Sequence, residues 1–254
     1  MKGNGYIFGF TTAICIVCSL AVASTSQGLK PLQEINKRWD LRSSILAALD
    51  LPEDGSKPVG EQIDQLWDER IVIEVVKSGD GKKAEGDEYD LDGDGDVDKD
   101  DVSAAWAKVK GTESAPAIIS VYNRVNGGQV EALAIPMRGK GLWGPLSGYL
   151  ALDARGATVI GATFSAPKET PGLGSEVTAD KFVSQWTGKK LVDGGKSRSV
   201  KVVKGSAENI CPREIEFCVD GVSGATITSD GVSDMVADTI TIYDPFLSTL
   251  RGGN

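Results

Sequence analysis

The longest apolar run of the chain lies at its N-terminus. No charge stands between Lys2 and Lys30, and Tyr6 to Ser24 is dominated by Ile, Phe, Val, Leu, Ala and Cys. A helix needs about 20 apolar residues to cross the hydrocarbon core of a bilayer, so this run predicts one transmembrane helix. Ala21-Val22-Ala23 has the small-x-small form of a signal-peptidase site. A retained anchor and a removed signal peptide therefore both fit, and both export the rest of the chain. Lys2 places the start of the helix on the inside.

Beyond the run the periodicity changes. Leu32, Ile35, Trp39, Ile45, Leu46 and Leu49 stand at helical spacing and predict one or two helices over Leu29–Leu51. Arg70–Val76 is β-branched and predicts a strand. Residues 77–89 mix Gly, Lys and acids and read as solvated, and Val102–Val109 reads as a helix. From Ala115 to Phe164 the runs AIISVYNRV, QVEALAIPMRG, GYLALDARG and ATVIGATFSA read as strands joined by Gly, Asn and Asp turns. A helix is expected over Thr178–Trp186 and a strand over Ser199–Val203. Val232, Met235, Val236, Ile240 and Tyr243 predict a final amphipathic helix that Pro245 ends or kinks. The mixture points to an α+β fold built on an antiparallel sheet with flanking helices. Residues 1–28 form the anchor, 29–254 the exported domain, and 78–110 an insertion within it.

Composition narrows the chemistry. The 254 residues are 41% hydrophobic and 25% charged, which excludes a disordered or collagen-like chain. There is no histidine, so a Ser-His-Asp triad, a His-ligated zinc and a His general base are excluded. The net charge is −9, and Asp80–Asp101 supplies nearly all of it, with 11 acids against 3 lysines. The acidity belongs to one segment, and no nucleic-acid partner is expected. Cys15 and Cys18 lie in the apolar run as small apolar residues. Cys211 and Cys218 flank PREIEF in the exported part. A disulfide is the expectation there, and two free thiols are the alternative.

The acidic segment has a register. Asp90, Asp92, Asp94, Asp98 and Asp101 occupy positions 1, 3, 5, 9 and 12 of a calcium loop, with Gly95 at position 6. Ca2+ takes about six to eight hard oxygens, and the glycine turns the chain around the ion. Asp96, at position 7, lends its carbonyl, and Val97 packs inward. The alternative is a solvated acidic loop. Asp101 is one methylene shorter than the common glutamate, and no clear helix precedes the loop. It resembles one half of a dockerin-type repeat. Only one half is present, so cohesin binding does not carry over. Its expected role is structural Ca2+ binding.

Near the C-terminus stands Asp220-Gly221-Val222-Ser223-Gly224-Ala225-Thr226-Ile227-Thr228-Ser229. Alone, SGAT reads equally as a turn before a helix. Upstream, however, run Gly139-Lys140-Gly141-Leu142-Trp143-Gly144-Pro145, Gly148-Tyr149-Leu150-Ala151-Leu152, Glu169-Thr170-Pro171-Gly172-Leu173-Gly174, then Phe182, Gln185-Trp186 and Gly188-Lys189. In this order, behind an N-terminal span, these blocks resemble the C-type subunit of the sodium-translocating NADH:quinone oxidoreductase. The resemblance implies a membrane-anchored flavoprotein subunit that relays electrons within that complex, with its domain on the extracytoplasmic side.

It also implies FMN joined by a phosphoester to Thr226, placed there from FAD by a flavin transferase. Ser223, Gly224 and Ala225 let the backbone come close, and Asp220 belongs to the modification signature. Leu142, Trp143 and the turn Glu169, Thr170, Gly172, Leu173 and Gly174 supply the slot for the ring. Lys204 stands either as a phosphate partner or as a surface lysine. Where the family commonly has a histidine before ETPGLG, this chain has Ala166-Pro167-Lys168. Three alternatives remain open here. They are the G-type subunit of the ion-translocating ferredoxin:NAD oxidoreductase, a calcium-dependent exported binding module, and non-covalent FMN binding.

Overall fold

The computed structural model describes residues 3–92, 94, 96–109 and 115–252. Lys2 and Gly95, which carry the expected orientation and the expected loop turn, lie outside the described residues, as do the ends of the 78–110 and 29–254 ranges. The chain divides into two compact units, Met1–Arg42 and Ser43–Asn254.

The first unit is helical. One helix, α1, runs without interruption over Asn4–Ala48 and carries Pro31 within it. It is long and apolar enough to cross a membrane, and its apolar window is wholly unburied by protein. That fits a single-pass anchor.

The second unit begins with the last turns of α1, where Ile45, Leu46 and Ala48 are buried, followed by Leu49. Helix α2 (Glu61–Arg70) follows, then strand β1 (Ile71–Lys77) and helix α3 (Lys99–Lys108). Strands β2 (Ile118–Asn126), β3 (Gln129–Lys140), β4 (Pro145–Asp153) and β5 (Val159–Ser165) complete a five-stranded antiparallel meander in chain order. Short pieces follow: a 3₁₀ turn over Gly174–Thr178, α4 (Asp180–Val183), a second turn over Ser184–Trp186, and the hairpin β6 (Val192–Asp193) and β7 (Lys196–Ser197). Strand β8 (Lys201–Val203), helix α5 (Ala207–Ile210) and strand β9 (Cys218–Asp220) lead into the final helix α6 (Thr226–Leu250).

The sheet is covered on both sides, which is why its strands are not strictly alternating. Leu133, Ile135, Met137, Leu150 and Leu152 form the core with Val232, Met235, Val236, Ile240, Tyr243 and Leu247 of α6. On the other face three separate elements share the cover. The end of α1 lies on it, with the Ser44 carbonyl accepting from Thr163 Oγ1 at 3.2 Å and the Leu49 carbonyl from Arg124 at 2.9 Å. Trp67 of α2 meets Tyr122 edge-on, and α3 packs Val102 and Ala105 beside Val75 and Ile118. The acidic loop before α3 is thus carried on the face away from α6.

Three elements differ from the reading of the sequence. Helix α2 was not expected, although Ile63 and Trp67, both buried, stand four residues apart. Thr178–Trp186 is not one helix but a four-residue helix between 3₁₀ turns. Pro245 does not end α6, which continues to Leu250. Proline removes one N–H donor, but Phe246 and Leu247 just beyond it are buried in the core and hold the next turn in place.

Candidate functional site

Thr226 is the first residue of α6, and several polar residues fix where that helix begins. Ser233 Oγ accepts from the Val202 N–H of β8 at 2.9 Å. Ser229 Oγ accepts from the Val222 N–H at 3.2 Å, and the Ser229 N–H reaches the Ala225 carbonyl at 2.9 Å. Thr228 Oγ1 donates to Glu169 Oε2 at 2.7 Å. The turn before the helix depends on Gly224, whose φ of +77° is open to glycine and disfavoured for side chains with a Cβ.

These contacts sort the hydroxyls. Thr228 and Ser229 are buried and occupied, at 1% and 4% exposure, while Ser223 and Thr226 are exposed. Thr226 borders a cleft of about 390 Å³ lined by Val202–Gly205, Gly221–Gly224 and, from α6, Ser229 and Asp230 as well. Lys204 lines the same cleft and is exposed. A second cleft of about 410 Å³ shares Gly205 and Gly221–Ser223 with the first and extends to Gly172, Phe182 and Gln185. At the start of any helix the first N–H groups lack backbone acceptors and form a partial positive charge. Thr226, Ile227 and Thr228 supply those groups here.

Two turns and the first turn of α6 converge on one carboxylate. The Gly141–Gly144 turn joins β3 to β4 and holds up Leu142 and Trp143, both exposed, the latter at 66%. The Trp143 N–H donates to Glu169 Oε1 at 2.8 Å. Glu169 itself is buried. In the next turn the Thr170 carbonyl accepts from the N–H groups of Leu173 and Ser175, which leaves Thr170, Gly172 and Leu173 exposed and Gly174 buried. A Cβ on Gly174 would stand 2.4 Å from Glu169 Oε2, so this turn closes against the carboxylate. Leu173 reaches the space above Gly224. Burial pushes the Glu169 carboxyl up, but the Thr228 hydroxyl and the N–H groups of Trp143, Gly144 and Leu142 hold it below its usual value.

Of the residues singled out in the sequence, Thr226, Ser223, Gly224, Leu173 and Lys204 come together around the helix start. Leu142 and Trp143 are tied to it through Glu169. Asp220 sits one step back: its Oδ1 accepts from the Ala207 N–H at 2.7 Å, and its own N–H donates to Gln185. Thr228 was not singled out, and a threonine two residues after the signature carries no local signal of its role. Cys211 and Cys218 are joined by a disulfide.

The acidic loop gathers Asp90, Asp92 and Asp94 as one possible oxygen set, and Asp92, Asp98 and Asp100 as another. Asp101 is turned elsewhere. It is fully buried, and its carboxylate accepts from the N–H groups of Leu91, Asp92 and Asp98, closing a capping box at the start of α3. Asp96 donates its N–H to Asp94. Asp92 is exposed, yet desolvation by the neighbouring loop raises its carboxyl above the usual value; the Asp94 N–H pulls it down, and the charges of Asp94, Asp101 and Asp90 push it up.

An FMN-binding domain model matches residues 141–241, the stretch that runs from the Leu142-Trp143 turn into α6. The C-type subunit of the Na+-translocating NADH-quinone reductase of Pseudomonas aeruginosa is 35% identical over 94% of this chain and 93% of its own length. The corresponding subunit of Vibrio parahaemolyticus is 33% identical over 96% and 94%. The crystal structure of the same subunit from Parabacteroides distasonis superposes with a TM-score of 0.67 at 32% identity, covering 87% of this chain and 97% of that one. With near full-length similarity to these proteins and the same domain around Thr226, the chain belongs to the family of C-type subunits of the Na+-translocating NADH-quinone reductase.

Proposed function

We propose that this chain is the electron-transfer flavoprotein subunit of a Na+-translocating NADH:quinone reductase and holds FMN as a phosphoester on Thr226. The observation that carries the reading is the exposure of Thr226, at the first position of α6 and beside an open cleft, where Thr228 and Ser229 of the same helix are buried and occupied. The residues present fit the group. The N–H groups of the helix start face a phosphate favourably, Lys204 adds a positive charge to a cleft that also holds the Asp230 carboxylate, and Gly224 leaves the approach clear. Leu142, Trp143 and Leu173 offer exposed apolar surface of the kind a flat ring covers. Bound FMN supplies the centre that takes up and releases electrons. The chain itself binds and orients it, and α1 keeps it at the membrane.

Oxidation of NADH, reduction of quinone and movement of Na+ belong to the other subunits, which are the partners of this chain together with a flavin transferase. The disulfide supports an extracytoplasmic place for the domain. The Pseudomonas and Vibrio relatives are both C-type subunits of the quinone reductase, which favours this complex over the ferredoxin-linked one.

The test is ultraviolet fluorescence of the denatured band after co-expression with a flavin transferase in an exporting host. The parent and Thr226→Ser are expected to fluoresce, and Thr226→Ala to lose the signal entirely. A native protein that is yellow but yields a dark denatured band would replace the ester with non-covalent binding. Equal fluorescence of Thr226→Ala would move the linkage to another hydroxyl.

We also propose a structural Ca2+ on Asp90, Asp92, Asp94 and Asp98, with Asp101 shaping the loop through its amide contacts. A ligand at about 100 times its dissociation constant stabilises the folded state by about 2.7 kcal/mol. Calcium is therefore expected to raise the melting temperature by several degrees over a chelator, and Asp90→Ala with Asp94→Ala to abolish the increment. A parent melting curve that ignores calcium would remove the ion from the reading.

A further inference from the structure

We propose that the Cys211–Cys218 bridge is a positioning element for the loading of Thr226, so that only the oxidised chain receives its flavin efficiently. This rests on the covalent reading of Thr226. The bridge closes a small ring of structure. Cys211 caps the C-terminus of α5, its N–H donating to the Ala207 carbonyl at 2.8 Å. Ala207 begins α5, and its N–H donates to Asp220 Oδ1 at 2.7 Å. Asp220 ends β9, whose first residue is Cys218. From Asp220 the chain passes directly through Gly221–Ala225 to Thr226.

The outer side of this lobe has little apolar packing of its own. Strands β8 and β9 are three residues each and form a two-stranded sheet of their own. Two-stranded pieces of that size are marginal in water. Val202 and Val219 turn inward to the main core. The outward side rests on a small separate cluster of Val203, Ala207 and Cys218, with Cys211 at its edge. Yet the lobe forms both walls at the mouth of the Thr226 cleft. Val203 pairs with Asp220, and the Gly221 N–H reaches the Val203 carbonyl at 2.8 Å. A covalent tie across seven positions limits the loosened states this lobe can reach. Without it, the segment between the cysteines keeps its contacts with Lys189, Lys190 and Arg198, and the Asp220 N–H keeps Gln185, but the covalent link between the end of α5 and the start of β9 is gone.

The chemistry has two balanced steps. A disulfide oxidant takes two electrons and two protons from the two thiols as the S–S bond forms. In loading, Thr226 Oγ1 forms a bond to the FMN phosphorus of FAD, and the diphosphate P–O bond breaks. AMP leaves with the bonding pair, and the hydroxyl proton passes to the transferase. The second step is not a redox step, so its dependence on thiol state reports positioning.

The experiment uses the full chain in detergent, oxidised or reduced and alkylated at its thiols, with a flavin transferase, FAD and Mg2+. Covalent flavin is followed by in-gel fluorescence, and folding by circular dichroism of the same samples. The reduced chain is expected to load at least tenfold more slowly than the oxidised one while keeping its main-core melting transition. Reoxidation of reduced, unalkylated chain is expected to restore the rate. Ala207→Pro deletes the N–H to Asp220, at the first helical position where proline is tolerated, and also enlarges a side chain of the small cluster. It is expected to slow loading with the bridge intact. Equal rates in the oxidised and reduced chains would overturn the proposal, and so would slow loading accompanied by loss of the main transition. An oxidised parent that gains no covalent flavin would overturn the covalent reading itself.

Discussion

Glu169→Ala is expected to destabilise the exported domain by about 2–5 kcal/mol and to cut flavin retention sharply. The carboxylate is buried and accepts from the Trp143 N–H and the Thr228 hydroxyl. Alanine leaves both donors without a partner, at about 1–3 kcal/mol each. It also leaves the space between Gly141 and Gly174, which only glycines allow the carboxylate to fill. Relief from burying a charge offsets part of this loss. Glu169→Gln keeps an acceptor for Trp143 and is expected to lose less stability. It should behave differently with pH. The folded carboxyl is held below its usual value of 4.5, so its contribution is fully present above that value. That contribution fades as the pH falls through the lower, folded value. Urea unfolding of parent and Glu169→Gln across the acid range checks this, since the glutamine variant should lack that part of the acid loss. Identical acid limbs would show that Glu169 does not titrate as argued.

The second large effect is expected at Gly231. In an exposed helix, exchanging glycine for alanine stabilises by about 1 kcal/mol. Here the sign reverses. A Cβ on Gly231 would lie 2.3 Å from the Lys140 carbonyl oxygen. That oxygen cannot retreat, because Lys140 ends β3 in register with Pro145 of β4. Helix α6 must move instead, and Thr226 and Thr228 move with it. Overpacking of this kind costs about 1–3 kcal/mol net. Gly231→Ala is therefore expected to lower the melting temperature by several degrees and to reduce covalent flavin at Thr226. A variant as stable as the parent would show that α6 has room to shift.

Both effects arise from residues that look ordinary in the chain. Glu169 reads in the sequence as part of a flavin-lining turn, and the structure sets it beneath that turn, at the meeting point of three segments. Asp101 reads as a calcium ligand from its register, yet its oxygens face backbone amides. In both cases the residue type and spacing are visible in the chain, and the direction of the side chain is not. Pro245 gives the opposite lesson. Its local preference is to stop a helix, and burial of Phe246 and Leu247 overrides it. Helix α2 escapes the pattern because its ten residues hold only three apolar ones, Ile63, Leu66 and Trp67, of which Ile63 and Trp67 are buried.

The amino-acid order by itself determined whatever depends on neighbours a few positions apart. The apolar run of α1, the five strands of the main sheet, the helices α3 and α6 and the glycine-bearing turns all follow from local period and backbone freedom. The candidate hydroxyl at Thr226 was legible through the blocks that accompany it. Only the tertiary structure decided which hydroxyls stay open, because Thr228 and Ser229 are closed by partners on Glu169 and Val222, 59 and seven positions away. Only it brought the Leu142-Trp143 turn, Glu169 and the start of α6 to one point. Hydrogen bonds and close packing across such distances depend on the path of the whole chain, and no local pattern encodes that path.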